Sequence, residues 1–236
     1  MTELSERFEQ TKKRFDSNVK QASRNPEEVC LVAVSKFHSA EDILEIAKLG
    51  QSDFAENYVQ EGVEKIEQLK PEFETLPQEI QWHFIGHIQS KKCKPIAQNF
   101  DWVHTIDSEK VAIKLDQHRE GYPPLNVLIQ LNLQGEETKS GILPDELEGL
   151  AGKIRSLDNL RLRGLMIIPE ADPDPENQRK VFRQCKELMD DLNESGYNLD
   201  QLSMGMTNDM ESAIAEGSTQ VRIGTAIFGK RPPKTP

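Results

Sequence analysis

Strand-like and helix-like segments alternate along nearly the whole of this chain, and no other feature narrows the fold as much. Short runs such as "CLVAVSK" (30–36), "WHFIGH" (82–87), "NVLIQLNL" (126–133) and "LRGLMIIP" (162–169) are mostly apolar and about the length of a strand. Each is followed by a stretch whose apolar residues recur three and four apart, the period of a helix lying against a core. "DFAENY" (53–58), "WVHTID" (102–107), "QLSMGM" (201–206) and "QVRIGTAIFG" (220–229) complete a set of eight strand candidates. Seven of the eight are followed by a helical pattern, and residues 3–22, with Leu4, Phe8, Phe15 and Val19 at helical spacing, form a further helix in front. Ser39 and Gly50 bracket the helix predicted over Ala40–Leu49 as cap and stop.

Such alternation implies parallel strands joined by helical crossovers. Eight units in 236 residues fit a (β/α)8 barrel, with an open doubly wound sheet as the alternative. No linker divides the chain, since "PEADPDPEN" (169–177) reads as a stiff loop. The expectation is a single domain over 1–236, with a leading helix in 1–25 and a tail at 230–236. Acidic residues outnumber basic ones by 40 to 29, which disfavours nucleic acid. Cys30, Cys93 and Cys185 are dispersed, and no run approaches the ~18 apolar residues of a membrane span. With a charged N-terminus lacking a signal-like apolar core, the chain is expected in the cytoplasm.

In barrels of this type chemistry gathers at the C-terminal ends of the strands. Lys36, Glu56 with Asn57, His87, Asp107, Asn132, Pro169, Met206 with Thr207, and Gly224 with Thr225 stand there. Lys36 ends an apolar strand, where desolvation favours a neutral, nucleophilic amine that condenses with aldehydes such as pyridoxal phosphate (PLP). A lysine snorkelling to water is the plainer reading. "SMGMTNDMESAI" (203–214) sets Thr207 and Asn208 before a helical run, and "RIGTAIFG" (222–229) adds Gly224 and Thr225. Hydroxyls and backbone N–H groups at such places suit a phosphate, and the loops after strands 7 and 8 are where this fold builds one. Helix capping and a packing glycine would leave the same marks.

Arg222 shares a strand face with Gly224, pointing into the barrel, where it needs an acceptor. A ligand ring or a salt bridge to Glu56 would each serve. His83 and His87 lie four apart, but on a strand-turn segment they spread, so no metal site is expected. "SKK" (90–92) and "KSGI" (139–142) read as loop charges, with Lys91 and Lys92 able to draw an anion towards the rim.

"AVSK", "AENYVQE", "HFIGHIQSKK", "LRGLMIIP", "SMGMTNDMESAI" and "GSTQVRIGTAIFG" resemble, in order, the pyridoxal phosphate homeostasis protein family over about residues 30–229. That family is similar to the barrel domain of alanine racemase, fold type III of the PLP proteins. The resemblance implies PLP as cofactor, held as an aldimine on Lys36 with Asn57 nearby. Ser203, Thr207, Gly224 and Thr225 would bind the phosphate, and Arg222 would face the pyridine nitrogen. Phe37 stands where a threonine often follows the lysine, Ala55 where a glycine is usual, and Thr207 where a serine is.

The racemase likeness also carries a contrast. A racemase adds a tyrosine base from a C-terminal domain of a partner subunit, and a chain finishing in "KRPPKTP" is expected to lack that domain. Tyr58 lies near a strand end, whereas Tyr122 and Tyr197 fall in loops. The function expected is a monomeric, non-catalytic PLP carrier that buffers or delivers the cofactor to acceptor enzymes. A PLP-dependent racemase-type enzyme and a PLP-independent phosphate-binding barrel enzyme are the alternatives.

Overall fold

The computed structural model describes residues 2–135 and 140–230. Lys139 of the loop "KSGI" and residues 231–236 of the expected tail lie outside them. Eight parallel strands form a closed barrel in chain order: β1 (Cys30–Val34), β2 (Asp53–Glu56), β3 (Gln81–Phe84), β4 (Trp102–Ile106), β5 (Leu125–Leu131), β6 (Leu160–Ile167), β7 (Gln201–Ser203) and β8 (Gln220–Ile223). The barrel closes where β1 pairs with β8, Val32 opposite Arg222 and Ala33 opposite Ile223.

Around it run the helices α1 (Glu3–Gln21), α2 (Ala40–Lys48), α3 (Val59–Phe73), α4 (Cys93–Asn99), α5 (Glu109–Arg119), α6 (Leu147–Arg155), α7 (Pro175–Glu194), α8 (Met210–Ala215) and α9 (Thr225–Phe228). Thus the (β/α)8 barrel is the observed fold, and the open sheet is not. No helix of the described residues is long and apolar enough to cross a membrane.

Period-2 alternation sorts each strand between two environments. Outward residues such as Leu31, Ala33, Phe54, Phe84, Val103, Ile129, Leu165 and Val221 join the large apolar cluster beneath the helices. Inward residues form smaller groups, Val32, Val34, Ala55 and Ile85 on one side and Trp102, Leu128 and Met166 on the other. The interior is therefore only partly apolar. His83, His104, Ser203, Gln220 and Arg222 are also buried.

Two elements differ from the reading of the sequence. "QVRIGTAIFG" does not run on as a strand: β8 stops at Ile223, and Gly224 O accepts from the N–H groups of Ile227 and Phe228, opening the single turn α9. Helix α3 continues past Leu69 to Phe73 across Pro71, which has no N–H to donate to the carbonyl of Glu67 one turn back.

The leading helix holds the site's far wall. Thr2 caps α1 by accepting from Ser5 N at 3.1 Å, and Leu4, Phe8, Phe15 and Val19 are buried, worth roughly 1.5–3 kcal/mol per large side chain. Arg7 Nε then donates to Ile227 O at 3.0 Å, and Thr11 Oγ1 to Ala226 O at 3.2 Å. The first helix thus clamps the turn that follows the last strand.

The pairing of β6 with β7 also needs a residue without a side chain. A Cβ on Gly164 of β6 would lie 1.7 Å from Gln201 O on the adjoining β7. Gly149 in α6 has nothing within 4 Å of that position. Urea unfolding is expected to show Gly164→Ala losing about 3 kcal/mol. Gly149→Ala should be unchanged or gain up to about 1 kcal/mol.

Candidate functional site

Lys36 stands two residues beyond Val34 on the inward face of β1, at the C-terminal mouth. The chain on both sides of it is tied down from behind. Lys65 of α3 donates to Ser35 O at 2.9 Å, to Glu56 Oε1 at 2.7 Å and to Glu61 Oε1 at 2.7 Å. Ser35 Oγ donates to the same Glu56 oxygen at 2.7 Å, and Phe37 N donates to Glu61 Oε1 at 2.5 Å. Phe37 adopts a left-handed φ of 68°, which is costly for an aromatic residue, and its ring packs 5.1 Å from that of Tyr58. Glu56 therefore points outward to Lys65 rather than inward to Arg222. The salt bridge weighed for Arg222 in the sequence does not form.

Arg222 lies on the inward face of β8 and is only 4% exposed. It donates through Nη1 to Ser203 Oγ at 2.6 Å and through Nη2 to Ile167 O at 2.9 Å. Both acceptors are neutral, and no carboxylate of the described residues lies within ion-pair distance. Burial brings its pKa down to about 10, opposed by the charge of Asp209. An unpaired guanidinium at this depth is costly unless a ligand completes its surroundings.

Lys36, Asn57, Thr207, Arg222, Gly224 and Thr225 line one cavity of about 250 Å³, floored by Val34, Ile85 and Met166. Six of the seven residues expected from the sequence are thus brought together. Ser203 is the exception. It is fully buried beneath the cavity, engaged by Arg222 and His104, and does not line the cavity with Thr207, Gly224 and Thr225. Asn57 Oδ1 is buried without a hydrogen-bond partner among the described residues. Gly224 lies against β1, where a Cβ would come 3.2 Å from Val34 O.

A second cavity of about 330 Å³ adjoins the first, with Asn57, Ile85 and Ile168 lining both. His87 lines it, with Asp107 Oδ2 3.8 Å from its Nδ1, and burial raises the Asp107 carboxyl. His83 instead points down the barrel to Asp53, so the two histidines part as expected. Lys91 and Lys92 fall in the single 3-10 turn Ser90–Lys92 and line neither cavity. His38 also lines the first cavity. Its ring stacks on Phe228 at 4.9 Å, and burial lowers its pKa.

Sequence reading missed the Lys65–Glu56–Glu61 brace: Glu61 and Lys65 stand four apart on α3, but Glu56 and Lys65, nine apart across a strand-helix turn, follow no helical or strand period. It also missed Asp53 and His104. Their signal was present, since both occupy inward positions of strands where an apolar residue would be the default.

A family model for the N-terminal domain of alanine racemase matches residues 11–232. The pyridoxal phosphate homeostasis protein of Vibrio cholerae is 48% identical over 232 residues, 98% of each chain. The protein of the same name from Escherichia coli K12 is 45% identical over 232 residues, again 98% of each. This chain belongs to the pyridoxal phosphate homeostasis protein family. Among solved structures, PipY of Synechococcus elongatus with PLP bound is 32% identical. The match has a TM-score of 0.79 and covers 91% of this chain and all 100% of that one. A protein of unknown function from Bifidobacterium adolescentis superposes with a TM-score of 0.89 at 33% identity, over 95% of this chain and 94% of that one. Alanine racemase of Clostridium difficile, 16% identical with a TM-score of 0.71, shares the fold.

The brace behind Lys36 has a measurable cost when broken. Lys65→Met leaves Glu56 buried without its cation, a loss of about 3–5 kcal/mol at neutral pH. Burial already raises the Glu56 carboxyl, so the native state keeps that proton to higher pH than the unfolded chain does. Stability therefore falls as pH rises through that window. Without Lys65 the window widens, and the deficit of the variant should shrink as the pH is lowered from 8 towards about 5. Denaturant titrations across that range check both points.

Proposed function

We propose that this chain binds pyridoxal 5′-phosphate in the cavity lined by Lys36 and Arg222, and that it buffers or hands on the cofactor without turning over a substrate. The observation that carries the reading is the placement of an amine and an unpaired, buried guanidinium on one ligand-sized cavity. The orphaned Asn57 oxygen in the same wall fits an occupant with a polar edge. The family's name and the PLP-bound relative support the same cofactor.

PLP, when bound, supplies an aldehyde and an electron-withdrawing ring. Each side chain has a distinct part. Lys36 presents an amine at the barrel mouth, partly shielded from water and therefore a better nucleophile when neutral. Thr207 and the turn at Gly224 and Thr225 would take the phosphate with hydroxyl and N–H donors. Asn57 offers its free oxygen. Arg222 can donate to a ring nitrogen but cannot release a proton to it, so it would hold that nitrogen unprotonated and leave the ring a weak electron sink.

That last property favours a carrier over an enzyme. Among the described residues none of Tyr58, Tyr122 and Tyr197 lines the cavity. Tyr58 and Tyr122 are exposed, and Tyr197 lies beneath Arg155 with its ring centroid 4.3 Å from the guanidinium. His38 is then the group a racemase-type reaction would require as its second base. On the carrier reading the chain works as a single-domain monomer in the cytoplasm and releases PLP to acceptor enzymes.

Borohydride treatment after PLP addition should leave one pyridoxyl label on the wild-type chain, at Lys36, and none on Lys36→Ala. Equal labelling of the variant at a single site would remove Lys36 from the proposal. Protein that gains no visible absorption band with PLP would point to a phosphate-binding enzyme of another kind. Incubation of the loaded protein with a panel of D- and L-amino acids should give no racemisation beyond that of free PLP. Turnover that His38→Gln abolishes would establish the enzyme instead.

A further inference from the structure

Beneath the cavity a line of polar side chains crosses the barrel interior, one from each of five strands. Arg222 Nη1 donates to Ser203 Oγ at 2.6 Å, and Ser203 Oγ meets His104 Nδ1 at 2.8 Å. His104 Nε2 meets His83 Nδ1 at 2.9 Å, and His83 Nε2 meets Asp53 Oδ1 at 3.0 Å. His83, His104 and Ser203 are at most 1% exposed. Asp53 lies at the N-terminal end of β2, at the opposite mouth, where its side chain is 19% exposed. The stack is packed from the side by Trp102, whose ring lies parallel to His83 at 5.7 Å and carries Arg163 on its face at 5.0 Å.

The donors along this line can be assigned from its two ends. Arginine only donates, so Ser203 accepts at the top. An ionised carboxylate only accepts, so His83 Nε2 bears a proton at the bottom. Against the opposing effect of burial, hydrogen bonds from His83 and Ser52 hold Asp53 below the usual carboxylate range. Burial, reinforced by the charge of Arg222, pushes His104 well below its ordinary pKa, so that imidazole is neutral and has a single N–H.

If that proton is on Nε2, it goes to His83 Nδ1, and Ser203 donates to His104 Nδ1. Each of the four contacts then has one donor and one acceptor. If it is on Nδ1, His83 must be protonated on both nitrogens. Ser203 Oγ then receives two N–H groups while its own proton loses His104 as acceptor. The second arrangement also places another cation in the interior that already holds Arg222. The first is the satisfied one.

We propose that Asp53, His83, His104 and Ser203 are positioning residues forming a one-way hydrogen-bond relay, which holds the Arg222 guanidinium against the cavity and links it to a carboxylate at the far mouth. A carboxylate placed directly on Arg222 would neutralise it where a ligand sits. The relay anchors the cation through neutral groups and leaves its charge directed at the cavity. The other titratable or charged groups around this line are Cys30 on β1, Asp101 before β4, Arg163 on β6, Cys185 on α7 and Asp209 before α8. The consequence for PLP rests on the function proposed above, whereas the relay is a property of the protein without ligand.

Two measurements on the full chain test it separately. Long-range proton–nitrogen NMR of protein without PLP, at about pH 7.5, should show His83 and His104 neutral with the proton on Nε2. An Nδ1–H tautomer at His104, or a doubly protonated His83, overturns the relay, whether or not PLP binds. In PLP-loaded protein, Asp53→Asn and Ser203→Ala should shift the absorption maximum and weaken PLP binding by about fivefold or more, with Lys36 still labelled by borohydride. Asp53→Asn alone decides if Ser203→Ala fails to fold. A folded variant with wild-type spectrum and affinity overturns the positioning role. Wild type that takes up no PLP would count against the function while the tautomers still decide the relay.

Discussion

The pairing of β1 with β8 is the contact on which the site depends. It removes the two open edges a parallel sheet would otherwise expose. It also sets Val32 opposite Arg222, and so brings the strand that ends in Lys36 beside the strand that carries the guanidinium. The leading helix reinforces the joint from outside, since Arg7 and Thr11 bind the carbonyls of the turn after β8. The amine and the cation that share the cavity are thus held by the closure of the barrel rather than by each other.

Closure has a second consequence in the division of labour between the faces of each strand. Outward residues bury apolar area under the helices and supply most of the stabilisation. Inward residues are released from that role and can be polar, provided that every donor and acceptor is matched. The line from Asp53 to Arg222 meets that condition by passing four hydrogen bonds through His83, His104 and Ser203. Lys65, Glu56 and Glu61 form a comparable group on the outer face, where they fix the backbone on each side of Lys36. Polar order on both sides of the strands therefore serves the same rim.

Much of this was legible beforehand. The period of the apolar residues revealed the eight strand-helix units, and strand-end position picked out Lys36, Asn57, Thr207, Gly224 and Thr225. Strand-face alternation put Arg222 inside. Ser203 illustrates the limit, because its motif joins it to Thr207 whereas the fold leaves it one layer lower, bonded to His104. The turn at Gly224 was read as strand because "IGTAIFG" is apolar and β-prone. Its helical hydrogen bonds depend on α1, which binds the carbonyls of that turn from the other end of the chain.

What the amino-acid order determined by itself was the sequence of elements, the face each side chain takes and the chemical types assembled at the C-terminal mouth, since these follow from local periods of two and 3.6 residues. Only the tertiary structure decided which partners those polar groups have. Glu56 goes to Lys65, Arg222 to Ser203 and Ile167, and His83 to Asp53 and His104. Such choices depend on distances between strands far apart in the chain, and those distances exist only once the barrel has closed.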